Sequence, residues 1–212
     1  MNNIDTQKID IAAISIINFL RQGSIDDNKI VADYFLYTAA SLAGISCAVT
    51  AQRHYIENKL KTNNETAVLA AITTESGDFF YGNLINELLF ANKYSVWNML
   101  KMAHKADMTD FPDIQEITAV VSDKIGNKNA KIWNDLRNPY KEIGPVKQIY
   151  ALICDNLEFL DMSIKEINIA FIYALVNVIN ETYSFFPKEL NCIELSLDTI
   201  IFFAHMNVNY TY

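Results

Sequence analysis

The residues best placed by type and spacing to do chemistry are carboxylates. Asp107, Asp110, Asp113 and Glu116 follow one another at three-residue steps with no basic residue among them, and Asp155, Glu158 and Asp161 repeat the pattern further on. On a helix this spacing keeps side chains on neighbouring positions of one face. Two such carboxylates can divide the work of general acid and base, provided burial pushes one pKa upward. Standing in water, they form an acidic face whose field steers and orients a basic protein. The charge distribution favours the second reading. Residues 1–106 carry 9 basic and 10 acidic side chains, whereas residues 107–212 carry 8 basic and 15 acidic, so nearly all of the net −8 lies in the second half. A chain this acidic is poorly matched to a phosphate backbone, and no nucleic-acid partner is expected.

Other reactive side chains offer less. His54 and Glu57 stand one turn apart in "HYIE", but a di-iron bundle needs two Glu-x-x-His pairs plus two further carboxylates, and a closed zinc site needs matched ligands that are missing here. No metal and no cofactor is expected. His104 is followed by Lys105 and reads as surface, and His205 reads as part of a frayed end. Cys47, Cys154 and Cys192 are odd in number, form no CxxC and sit in apolar or acidic surroundings. They read as buried free thiols in a reducing compartment, not as nucleophiles. "SGDFFYGN" lacks the glycine spacing and the Lys-Ser/Thr that would cradle a phosphate. No catalytic constellation emerges.

The elements that must position these residues are mostly helical. The chain has 212 residues, 51% apolar and 20% charged, with only 6 Gly and 4 Pro. That composition fits one globular domain over residues 1–212, broken rarely. Helical spacing of apolar residues runs from Ile4 to Leu20, and Gly23 stops it. A second helix is expected from about Lys29 to about Lys61. Its centre, Tyr34–Ala51, carries no charge over 18 residues. At 1.5 Å per residue this is roughly 27 Å, just short of a bilayer core. Its Ala, Ser, Thr and Tyr content and the lack of flanking basic clusters favour a buried central helix over a membrane span.

Residues 67–81, "AVLAAITTESGDFFY", read as a small β-hairpin across a Gly-containing turn. Strand alternation over Phe79, Phe80 and Tyr81 turns at least one ring outward, which adds Phe79 and Tyr81 to the candidate partner surface. Asn83 reads as the cap of a helix Leu84–Phe90, and Ser95 as the cap of another from Val96 to about Lys105 carrying Trp97. Pro112 and Asp113 open a helix that Gly126 ends. A short piece around Lys131–Leu136 holds Trp133, and "RNPYKEIGP" reads as a loop. Helices from about Val146 to Leu160, Ile164 to Tyr183 and Lys188 to Met206 complete an all-α chain of about eight or nine helices around the long central one.

The stretch "TTESGDFFYGNLINELL…SVW" followed by "FPDIQEITAVVSDKIG" resembles a family of bacterial proteins of about this length. The family pattern is a Thr/Gly turn, an aromatic pair, G-[DN]-x-[IL]-N-x-x-L, Ser-Val-Trp, then Pro-Asp opening a helix that ends in Gly. The matching positions are Thr74, Gly77, Phe80, Tyr81, Gly82, Asn83, Asn86, Leu89, Ser95, Val96, Trp97, Pro112, Asp113 and Gly126, with "SLAG.SC" around Ser41–Cys47 upstream. Asn83 stands where family members tend to have Asp, which argues against an obligatory carboxylate there. Genes of this family often lie near toxin and secretion-system loci. The resemblance implies a cytoplasmic immunity or antitoxin-like protein that binds a cognate protein toxin, with no enzymatic activity attached. A basic toxin is the partner an acidic chain would suit. The alternative is an enzyme with an acidic pocket built from the C-terminal helices.

Overall fold

A computed structural model describes residues 4–26, 29–61, 68–105, 110–133, 137–186 and 191–208. Among these the chain is mainly α, with seven helices of eight residues or more, one four-residue turn of helix and two small antiparallel strand pairs. At its centre is α2, Ala32–Lys61, preceded by α1, Thr6–Gly23. Every residue from 35 to 51 is buried. A helix covered on all sides has no face left for a charge, which explains the uncharged run. By length and composition Ala32–Glu57 would pass as a membrane span, but the rest of the bundle encloses it.

Three helices supply most of that cover. These are α8, Cys192–Ala204; α7, Ile164–Thr182; and α6, Pro139–Leu157. The tightest crossing is α2 on α8. A Cβ placed on Gly44 would lie 2.7 Å from both the Ile200 carbonyl oxygen and the Phe203 Cβ, so only glycine admits this approach. On the outside, α1 packs on α7, as does α4, Val96–Ala103, while α5, Ile114–Lys124, packs on α8.

Side-chain caps set most of the helix starts. The Asp5 carboxylate accepts the Gln7 and Lys8 N–H groups, and Ser95 Oγ accepts that of Asn98. Ser163 and Glu166 form a reciprocal capping box at the start of α7. Glu166 also accepts the Asp5 N–H at 3.0 Å, so one carboxylate serves the N-termini of α1 and α7 together. Desolvation alone would raise its pKa. Hydrogen bonds from Asp5 and Ser163, with the charge of Lys8, outweigh that and lower it.

Several boundaries differ from expectation. Before α2, Ile25–Asp26 (β1) pairs with Lys29–Ile30 (β2), so the helix begins three residues later than about Lys29. The segment "RNPYKEIGP" is not a loop. Asn138 caps it by accepting the Tyr140 and Lys141 N–H groups, Pro139 takes the first turn, and α6 runs on through Pro145. Asn83 is not a cap; it is the first residue of α3, Asn83–Asn86, and its side chain accepts the Val68 N–H at 2.8 Å. The helix from there does not stay α. Glu87–Ala91 is a π turn, closed by Asn92 N–H and Nδ2 donating to the Glu87 carbonyl. The last helix starts at Cys192; residues 188–190 of the expected start lie outside the described residues.

The expected hairpin is present as β3, Ala70–Thr74, against β4, Gly77–Tyr81. Its tip docks on the turn after α5. The Ser76 hydroxyl donates to the Gly126 carbonyl, and the Gly126 N–H donates to the Tyr140 hydroxyl, both at 2.7 Å. Its outer edge pairs with the segment after α8, through Phe80 N–H to the His205 carbonyl and Asn207 N–H to the Asp78 carbonyl.

Candidate functional site

Two of the singled-out acidic residues, Asp113 and Glu116, line a groove between α5 and α8. Asp113 is the N-cap of α5, with Oδ1 accepting the Gln115 and Glu116 N–H groups. Asn191 caps α8 in the same way, accepting the Ile193 and Glu194 N–H groups, while its Nδ2 donates to the Asp110 carbonyl. This contact sets the two helix starts side by side. The result is a groove of about 480 Å³ lined by Asp113, Glu116, Glu194, Asp198 and Lys124, with Pro112, Ile117 and Leu195 as apolar wall.

Lys124 does not neutralise the groove as a whole, because it is committed to Asp198, with Nζ 3.1 Å from each carboxylate oxygen. Asp198 is 7% exposed and also accepts the Trp133 N–H at 3.3 Å. Glu116 and Glu194 are exposed, and neither makes an ion pair with a described residue. Among the described residues no group of three or more His, Cys, Asp or Glu is placed to hold a metal ion. Such a groove can receive a lysine or arginine side chain, with the capped Asp113 held rigid beside the two exposed glutamates.

Of the first acidic set, then, Asp113 and Glu116 line the groove, and Asp110 is exposed at its entrance segment. Asp107 lies outside the described residues. The second set does not form one helical face. Asp155 is on α6, Glu158 opens a 3₁₀ turn over Glu158–Leu160, and Asp161 follows in a left-handed conformation, φ 46°. All three are exposed. The chain turns there because Ser163 must start α7, and the Asp161 carbonyl accepts from Lys8 Nζ at 3.0 Å.

The hairpin aromatics also need correction. Phe79 is 1% exposed, its ring edge-on to Tyr140 and Phe202, and its backbone bridges to Met206. It offers nothing to a partner, because its face of the hairpin packs on Tyr140 of α6 and Phe202 of α8. Tyr81 is half-buried against His205, with ring centroids 4.8 Å apart. His205 is no frayed terminus. It is 6% exposed, and its Nδ1 lies 2.7 Å from the Ile201 carbonyl oxygen. His104 is half-buried, edge-on to Phe111. Cys47 and Cys192 are buried and Cys154 half-buried, and none of the three is in a disulfide. Burial pushes the Cys47 thiol up to about 12, against a smaller opposing effect of a hydrogen bond with Asn168.

Burial lowers the His205 pKa below the ordinary 6.5, more than its bond to Ile201 raises it. The fold therefore holds a neutral imidazole that the unfolded chain would protonate. Stability from this source is complete above about pH 6.5 and declines as pH falls through that value. The expected result is a lower Tm at pH 5.5 than at pH 7.5, with much of the difference gone in His205→Gln. Glu166, lowered from 4.5, acts in the same direction only at more acid pH, so the two windows separate.

Glu194 and Asp198 were not among the expected site residues. Their spacing of four on one helix was a visible signal, but nothing in sequence brought that stripe to Asp113 and Glu116, some eighty positions earlier. No family model, no curated protein and no solved structure matches the chain.

Proposed function

We propose that this chain is a cytoplasmic immunity-type binding protein that neutralises a basic protein toxin by receiving its cationic side chains in the α5–α8 groove. The observation that carries the reading is the groove itself: four carboxylates around a single lysine already bound to one of them. The one-sided charge of the second half of the chain supports it, since a concentrated field speeds encounter with a basic surface and fixes its orientation. The resemblance described above supplies the biological setting.

The test reverses the two exposed glutamates and leaves the structural carboxylates alone. Glu116→Lys with Glu194→Lys should fold as the parent does, because neither side chain caps a helix or pairs with a described residue. Association with the cognate basic toxin should slow about tenfold or more and lose its salt dependence, and cells expressing that toxin should lose protection. A folded double variant that binds and protects like the parent would put the interface elsewhere and remove the groove from the proposal.

A further inference from the structure

The outer ridge of α1 runs through Gln7, Ile11, Ile14 and Asn18, all exposed. Their steps of four, three and four residues keep them on one stripe, the spacing of a two-helix seam. Single exposed apolar residues are ordinary on a protein surface. Here Ile14 is 59% and Ile11 41% exposed, neighbours at mid-helix, with an uncharged amide beyond each end. Exposed ridges elsewhere in the bundle carry charge: Glu116 and Asp123 on α5, Lys141 and Asp155 on α6.

The surroundings of the ridge suit a second helix. A groove of about 540 Å³ lies between α1 and α7, and one of about 320 Å³ between α1 and α6. Asn18 lines both, which puts it on the crest, whereas Asp10 lies off the crest on the α7 side. A crest between two grooves is the relief that helices use to pack on one another. The amides at its ends are open as well. Asn18 Oδ1 accepts from Arg21 at 3.1 Å, but its Nδ2 donates to no described residue, and the Gln7 side chain bonds to none.

We propose that this ridge is the contact between two copies of the chain, packed antiparallel about a twofold axis between Ala12 and Ala13. In that register Ile11 of each copy faces Ile14 of the other, and Gln7 faces Asn18, whose open Nδ2 can donate to the Gln7 side-chain oxygen. The occupant follows from charge. With a net −8, two copies repel over most of their surface, and an uncharged crest is where they can close. Charge also sets the direction. A parallel pair would bring Asp5 beside Asp5 and Arg21 beside Arg21, whereas the antiparallel pair sets Arg21 of each copy level with Asp5 of the other. Arg21 already holds Glu181 at 2.8 Å, and a guanidinium has donors to spare. The contact spans about three helical turns a side, well under the roughly 1,600 Å² of a standard interface. Weak association is therefore expected, half-complete at about 10–100 μM. The proposal does not rest on the toxin-binding reading.

Sedimentation equilibrium of the full chain over a concentration series tests this. The parent should associate to a dimer, and Ile14→Lys and Ile11→Glu should each weaken association about tenfold or more. Both change exposed positions, so circular dichroism and Tm should match the parent. Mixing the two variants should restore the dimer, because the new lysine of one copy then faces the new glutamate of the other while Ile11 still meets Ile14 across the axis. A parent that stays monomeric at about 1 mM overturns the proposal. If Ile14→Lys then weakens binding of the cognate basic toxin, the ridge belongs to that contact instead. The proposal also falls if either folded variant associates as the parent does, which puts any dimer contact elsewhere. It falls equally if the mixture stays monomeric, which excludes the antiparallel register.

Discussion

Replacing Trp133 by alanine should cost about 3–5 kcal/mol, the range for a fully buried large aromatic, whereas Trp97→Ala should cost only about a third as much. Trp133 is 1% exposed and meets Tyr37 edge-on at 5.3 Å. Its indole N–H donates to Asp33 and its backbone N–H to Asp198. Asp33 in turn accepts from Arg137 at 2.8 Å, and Arg137 lies over the Tyr37 ring. Truncation therefore opens a cavity and strips Asp33 of its indole donor, while the backbone N–H to Asp198 stays. Trp97 is half-buried, edge-on to Phe90 and Phe111, with Lys101 over its face. Urea unfolding of both variants measures the difference. Equal losses would mean that the loop around Trp133 adjusts and that the ring is not the anchor of this corner.

The second large effect is expected at Gly82. A Cβ there would fall 1.9 Å from the Val68 carbonyl oxygen and 2.7 Å from its carbon, on a backbone with φ 156°. Backbone cannot yield as a side-chain tip can. Gly82→Ala must push apart β4 and the segment entering β3, and with it the bond from Val68 to Asn83. A loss of roughly 3 kcal/mol or more is expected from overpacking together with an unfavourable φ. Gly77→Ala is the control, because it sits at φ 124° with nothing within 4 Å and bears the conformational part alone. Thermal melts that place the two variants together would show that the close approach relaxes at little cost.

These two positions show where sequence was legible. Gly82 and the turn "ESGD" announced a break in the chain, and the hairpin followed. The uncharged run in α2 and the cap Ser95 were equally plain, because each is a local rule about burial or about orphan N–H groups, whereas Pro112, read as part of the first turn, lies before the Asp113 cap. The shared Ser-Val-Trp pointed to Trp97 as the packing anchor, yet Trp133 is the fully buried ring and Trp97 only half-buried. Both lie among apolar residues, and what separates them is a positive φ at Trp133, 59°, that turns its ring inward beneath Tyr37. Proline misled at 139–145, where an Asn cap and Pro at the first turn outweighed the breaker content of "NPYKEIGP". Strand alternation left open which ring of Phe79, Phe80 and Tyr81 faces inward, and Tyr140 and Phe202, from helices distant in sequence, decide that it is Phe79. The groove was illegible for a related reason: its walls come from helices distant in sequence, and only packing brings Glu116 and Glu194 into one lining.

The shared carboxylate of Glu166 has a consequence for how the chain folds. It joins the start of α1 to the start of α7 across 161 positions, and the main apolar partners of α1 also lie on α7. During synthesis at about 5–20 residues per second, α1 emerges first and must wait many seconds for the helix it docks against. The central helix, α2, also waits for its chief partner, α8, more than a hundred residues later. Contacts so distant raise the entropy to be overcome before any are rewarded, which slows folding relative to helical bundles of sequential neighbours. A nascent chain of this design exposes its α2 surface until the last helix arrives, which makes it a natural client for holding chaperones on the ribosome.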